Sequence, residues 1–538
     1  MRASEIRVQD IDHSGIVAGV IDEMGLVEQI NQRLKQHPLQ VVGPGQAVKA
    51  MILNGLGFVS APLYLFEQFF VGKATEHLLG EGIRAEHLND DRMGRVLDEL
   101  YAVGLTELFV EIALKAAQRF GVATTSVHLD SSSFHVDGEY ERTGTEADEA
   151  AIAITYGYSR DHRADLKQFV GDLMCSGDGD IPLYLRVGDG NESDKAVFAQ
   201  LMGQFKAQLN FDALFVADSA LYSQENLQAL AGLRWLSRVP ATLNQAKECL
   251  QETPDEALVA TQMAGYRLAA LNRQFAGIDQ RWLVVESEAR KASDLKQLAQ
   301  QMTEQQKKAN AQLKTLSRKR FACAADALVA ASALESTWRY HRLVQGTVEE
   351  HPLKAKRKNA PSHDLAFSPS CFGVQATLVE DATTIATETR RAGRFILATN
   401  VLDSAQLSDE DMLVEYKAQQ STERGFRFLK DPLFFTSSVF LKSPQRVAAL
   451  AMVMGLCLLV YSLGQRKLRQ ALSQSKQYLK NQLKKPTQTP TLRWIFQCFQ
   501  SVHLVWIGNL AQVVNLSEER QHILRFLGAA CQKYYLLV

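Results

Sequence analysis

The chain has 538 residues, with 59 Lys and Arg against 60 Asp and Glu. Length alone suggests roughly three or four domains, and the 46% hydrophobic content is that of an ordinary soluble globular protein. Because the charges cancel, any nucleic-acid role must rest on local clusters rather than on overall charge. The seven Cys are scattered, with no C-x-x-C pair and no Cys/His ligand spacing. That argues against a zinc site or a disulfide framework and for a reducing cytoplasm. The opening "MRASEIRVQDIDHSG" carries no signal-peptide apolar segment.

Residues 1–118 read as all helix. "HSGIVAGVIDEMGLVEQINQRL" has apolar residues at helical spacing, and "LNDDRMGRVLDELYAVG" opens on N-cap chemistry at Asn89 and closes at Gly104. The period then changes. "ATTSVHLD" is β-rich and ends in Asp130; "LKQFVGDLMCS", the turn "GDGD" and "IPLYLRVGDGNESD" predict an antiparallel hairpin, its last strand alternating at Ile181, Leu183, Leu185 and Val187. Asp178, Asp180 and Asp189 read as turn residues. "SDKAVFAQLMGQFKAQL" predicts a helix, "ALFVADSALYS" a short strand ending in Asp218, and "LRWLSRVP" a further strand closed by Pro240. Three strands in short succession followed by helical crossovers imply a mixed α/β sheet with helices on its faces.

Residues 241–393 read as a separate α+β insertion. "YRLAALNRQFAGIDQRWLVVESEA" predicts a hairpin, the polar stretch from Asp294 a long helix, and "RYHRLVQGTV" and "CFGVQATLVED" two more strands around the basic loop "HPLKAKRKNAPSHD". The sheet domain resumes with "GRFILATN" and continues to residue 465. "VAALAMVMGLCLLVYSLG" just reaches membrane-spanning length but reads as a helix buried in a large domain. Residues 466–538 read as a helical C-terminal region.

In "YKAQQSTERGFRFLKDP", Tyr416, Gln419, Glu423, Arg427 and Lys430 recur at spacings of three, four, four and three. On one helix they would share roughly a quarter of its circumference. A polar helix face is the ordinary meaning of such a stripe. Here it sets one carboxylate among cations, in a chain where Asp130 and Asp218 end two strands of one sheet. Active sites of such sheets gather beyond the strand ends. Three carboxylates repel one another, a cost that divalent cations remove. Mg²⁺ or Mn²⁺ favours oxygen ligands, and two such ions support in-line phosphoryl displacement. Arg427 and Lys430 could hold phosphates beside them. His128 and His135 flank Asp130 without metal-ligand spacing and read as structural or groove residues.

These segments resemble the DDE transposases of prokaryotic insertion sequences, in the branch marked Y-x2-R-x3-E-x6-K. Here the pattern is Tyr416-x2-Gln419-x3-Glu423-x6-Lys430, with Gln in the Arg slot. "VHLDSSSF" and "FVADSALYS" are similar to that family's two Asp segments; "GYSRDHRADLKQ" and "VGDGNESD" resemble stretches of its long-chain subgroup. The resemblance implies an RNase H-like domain interrupted between the second Asp and the Glu. It implies catalytic and metal-binding residues Asp130, Asp218 and Glu423 and two Mg²⁺ or Mn²⁺ ions. The implied partners are double-stranded DNA, both terminal inverted repeats and target, and a second copy in a homodimer on DNA; no membrane is implied. Tyr416 and Lys430 match positions that touch the DNA backbone, whereas Gln419 keeps hydrogen-bonding capacity without the charge. The N-terminal module is then an expected end-binding unit and the C-terminal helices an expected assembly unit, in a cytoplasmic, nucleoid-associated protein. Basic runs at Ser317–Arg320, Lys354–Lys358 and Gln465–Arg469 are expected secondary DNA contacts. A non-catalytic DNA-binding descendant, and a metal-dependent nuclease without strand transfer, are the alternatives.

Overall fold

The structure, a computed structural model, describes residues 6–35, 40–58, 60–140, 151–158, 163–192, 202–203, 212–230, 232–352, 370–431 and 441–537. Most of the helix expected at 193–209 and the basic run Lys354–Lys358 lie outside these residues.

A nine-stranded sheet forms the centre. After β1 (Ile6–Asp10), its strands are β2 (Ser126–Val136), β3 (Lys167–Ser176), β4 (Pro182–Gly188), β5 (Leu214–Ala217), β6 (Arg234–Arg238), β7 (Val259–Ala260), β8 (Tyr266–Phe275) and β9 (Ile278–Ser287). β10 (His341–Pro352) and β11 (Ser370–Glu380) pair with each other, and β12 (Arg394–Thr399) rejoins the main sheet. The order is β4-β3-β2-β5-β6-β12-β9-β8-β7. β2, β3 and β4 are antiparallel; β5 and β6 run parallel to β2; β12 and β9 are antiparallel again. The expected meander and parallel additions are therefore present in one mixed α/β sheet.

Three expectations are corrected. β1 pairs with β13 (His503–Ile507), which pairs with β14 (Leu510–Val514), so neither terminal region is purely helical. A lone strand such as "IRVQD" gains its ladder bonds from a partner almost 500 residues away, which no local pattern shows. The hairpin β8–β9 is not part of a detached insertion: β9 pairs along β12 from Arg394↔Glu286 to Thr399↔Arg281 and so widens the main sheet. Among the described residues of 241–393, only β10, β11 and the helices beside them make a separate small cluster around Leu316, Ala327 and Val374.

The principal helices are α1 (Ser14–Met24), α2 (Pro44–Gly55), α3 (Asp90–Ala102), α4 (Leu105–Arg119), α5 (Glu288–Arg318), α6 (Ala324–Glu335), α7 (Asp409–Ala418), α8 (Gln420–Leu429), α9 (Pro444–Ser475) and α10 (Ala529–Leu536). α9 has the length and apolarity of a membrane span, yet most of its apolar stretch is buried inside the fold. It is the axle of the largest core, which joins α1–α4, the sheet and the C-terminal elements. A Cβ on Gly455 would stand 2.4 Å from Leu185 and 3.0 Å from Phe109, so the missing side chain is what lets α9 approach β4 and α4 this closely. α9 also runs through residue 466 without a break. The run Gln465–Arg469 points inward: Arg466 is buried on Asp178, and Arg469 donates to the Pro490 carbonyl. Those two arginines hold the fold together rather than facing a partner.

Candidate active site

The site starts from strand register. Leu129 of β2 pairs with Ala217 of the parallel β5, and Ala217 with Ser237 of β6. The next residues along, Asp130, Asp218 and Arg238, therefore stand at one level on three adjacent strands, each about 4.8 Å from its neighbour, with side chains on the same face. All three are half-buried. β2 does not end at Asp130 as its sequence implies. Pairing with β3 carries it through the serine run to Val136, with Asp130 opposite Leu173. Asp218 does follow the last residue of β5, where its Oδ1 accepts the Ala220 N–H at 2.8 Å. Its carbonyl accepts the Ser237 hydroxyl at 2.7 Å, which ties β5 to β6 at this level.

The same face is covered by α7 and α8. α7 lies over β5, β6, β12 and β9 through Met412 and Leu413, which join Val216, Leu236, Leu283 and Leu397 in a second core. α8 lies over β2 and β3: Phe426 packs on Phe134 with ring centroids 6.2 Å apart, and a Cβ on Gly425 would be 3.0 Å from Leu173. The stripe from Tyr416 to Lys430 is thus divided between two helices, not carried on one. The chain leaves regular helix at Gln419, which caps α7. That step lets one segment cover the β5–β6 half of the sheet and then the β2–β3 half.

Glu423 is exposed, on the flank of α8 that also carries Arg427 and Lys430. The Lys430 ammonium sits 5.7 Å from the Phe134 ring centre. Gly425, two residues after Glu423, stands over Leu173, which is paired with Asp130, so α8 carries Glu423 onto the face of the sheet that bears Asp130. Among the described residues, no three His, Cys, Asp or Glu side chains form a ready-made ligand cluster. The donor chemistry nevertheless suits a hard divalent cation: two carboxylates at one level on adjacent strands, and a third on the helix above. His128, two residues before Asp130, is fully buried and 3.6 Å from Glu415 of α7, so it braces α7 on β2, in keeping with a structural role.

Tyr416 marks the other side of the site. It is hydrogen-bonded by Arg238, and burial raises its phenol pKa, with the Asp218 charge adding to the rise and Arg238 opposing it. The Arg238 guanidinium lies 5.4 Å and that of Arg290 5.9 Å from the Phe395 ring centre, and that ring is 6.1 Å from Tyr416. Arg238 and Arg290 thus bring two cations to the neighbourhood of Asp218, which sequence reasoning missed. The available signal was that Arg238 ends its strand in step with Asp218. Arg427 is exposed, Gln419 half-exposed.

A family model described as the transposase DDE domain matches residues 126–461, from the first residue of β2 into α9, and a second, described as a domain of unknown function (DUF4277), matches residues 6–114. No curated protein matches the chain. Among solved structures, a cryo-EM structure of the piggyBac transposase synaptic complex with hairpin DNA matches at a TM-score of 0.38 and 7% identity, covering 92% of this chain and 81% of that one.

Proposed function

The chain belongs to the transposase DDE domain family, and on that premise we propose that it cuts DNA at the ends of a mobile element and joins those ends to target DNA. Asp130, Asp218 and Glu423 are the catalytic carboxylates in this reading. The observation that carries it is the pairing of Leu129 with Ala217, which sets the two aspartates side by side under the helices that bring Glu423. The sheet order, an antiparallel β4-β3-β2 followed by parallel β5 and β6, supports an RNase H-like reading of the domain.

Asp130, Asp218 and Glu423 would hold Mg²⁺ or Mn²⁺, which when bound in a pair activates an attacking oxygen and stabilises the leaving one. The chain's other residues bind and orient. Arg238 and Tyr416 offer N–H and O–H donors beside Asp218, placed for a backbone phosphate at the cut; a planar guanidinium can take two of its oxygens at once. Tyr416 is a neutral donor, and burial pushes its phenol pKa up, further from the working pH. Lys430 and Arg427 extend positive charge along α8. Gln419, at the step between the helices, supplies an uncharged hydrogen bond where the family pattern has Arg. Joining two element ends to one target favours a dimer on DNA, with the N-terminal helices as the end-binding unit.

The test is purified protein with Mg²⁺, a labelled element end and a target plasmid. Nicked ends and joined products are expected, and Glu423→Gln should bind the end without nicking it. Cutting without joining would instead mark a nuclease, and a Glu423→Gln protein that nicks at the normal rate would remove Glu423 from the reaction.

A further inference from the structure

Arg290 faces two ways. It lies against Phe395 near Tyr416, and it also lines a cleft of about 260 Å³ between α5 and the helix Ala382–Arg391. Arg339, Arg391 and Arg394 line the same cleft, against the carboxylates of Asp294 and Glu388. Arg394 is already committed, with its side chain fully buried on Glu286 and Asp255. Arg339 and Arg391 share one carboxylate oxygen of Glu388, at 2.8 and 3.7 Å. Each guanidinium has five N–H donors, so one oxygen cannot satisfy both. Arg339 remains 59% exposed.

We propose that this cleft seats a backbone phosphodiester of the bound DNA, further along the strand from the cut. The inference rests on the transposase reading above and extends it to a second contact. The volume lies below the ~300–1,000 Å³ of pockets that enclose a whole small molecule, so the cleft suits one charged group of a larger ligand rather than a free nucleotide. Its excess of guanidinium donors matches phosphate oxygens. Its position follows from Arg290: Asp218, Arg238, the Phe395 ring and Arg290 form a continuous path from the strand ends to the cleft.

The test compares the full-length protein with Arg339→Gln/Arg391→Gln, and with Arg339→Gln alone as the milder change. Neither arginine belongs to the catalytic row. Binding to a duplex carrying the element end is measured against NaCl concentration without divalent metal. Each lost phosphate contact should flatten the slope of log K against log salt by about 0.9, so a change of about 1 to 2 is expected in a variant that melts like the parent. Methylphosphonates placed singly along the strand should reveal one position, beyond the cut, that weakens the parent and leaves the variant indifferent. An unchanged slope with an unchanged methylphosphonate pattern would overturn the proposal, as would a variant that loses only polyglutamate binding, the mark of an acidic protein partner. Parent protein that binds and nicks normally in those cases leaves the transposase reading standing; parent protein that binds no element end defeats both.

Discussion

Asp130 and Asp218 are neighbours across a parallel strand pair, fixed there by the register of Leu129 with Ala217. Their spacing is a property of the sheet, so removing either charge should leave the fold in place. Asp130→Asn and Asp218→Asn should each abolish nicking while end binding persists. The double substitution should be no worse than either alone, because groups that act as a unit are not additive. Nicking rates for the three variants check this.

Arg238 should matter for rate and little for folding. It is half-buried beside Asp218 and donates to Tyr416. Losing a charged hydrogen bond to phosphate costs about 1.5–3 kcal/mol, or roughly 10- to 150-fold. Arg238→Gln should lower nicking by that factor, and Tyr416→Phe by less, since it removes one neutral donor. Single-turnover kinetics at saturating DNA would separate this from weakened binding.

Arg394 is a stability residue. Its side chain is fully buried against Glu286, which also receives Arg267 and Lys291. Burial raises the Glu286 pKa, but the cations around it win and the net shift is downward. Removing one partner of such a buried cluster costs about 3–5 kcal/mol. Arg394→Met should shift the urea midpoint by a corresponding amount.

His13 makes the fold sensitive to acid. Its ring lies 4.6 Å from Phe58 and 4.4 Å from Phe496, and Nε2 donates to the Leu56 carbonyl at 2.9 Å. Burial lowers its pKa from 6.5 to about 4; the Leu56 bond opposes this and the Lys73 charge adds to it. Between those values the unfolded chain binds the proton and the folded one does not. The neutral ring's contribution, about 3 kcal/mol, is therefore present above pH 6.5 and lost as the pH falls to 4. Denaturant melts at pH 7 and 4.5 should show this loss, and His13→Gln should flatten it.

The strands that carry Asp130 and lead to Asp218 were legible because their signals are local. "SVHLD" and "FVAD" are β-rich runs that reach an acid, and the turn "GDGD" marks the β3–β4 hairpin, whereas residues 137–166 separate β2 from β3 and carry no such signal. What was not legible depends on register or on distant partners. Arg238 matters only because Ser237 pairs with Ala217. The attachment of β8–β9 to β12, and of β1 to β13, is tertiary pairing between segments that each look self-contained. The stripe from Tyr416 to Lys430 kept helical spacing across Gln419, so its periodicity hid the step between two helices. The strand expected from the sequence ends at Asp130, yet pairing with β3 holds the serines beyond it extended.

The most direct measurement replaces Mg²⁺ with Fe²⁺ and maps where radicals generated at the bound iron cut the polypeptide. Cuts are expected at three separated places, near residues 130, 218 and 423, and should disappear in Asp218→Asn. Cuts confined to other segments, or a pattern indifferent to Asp218, would contradict a shared metal site on this face of the sheet.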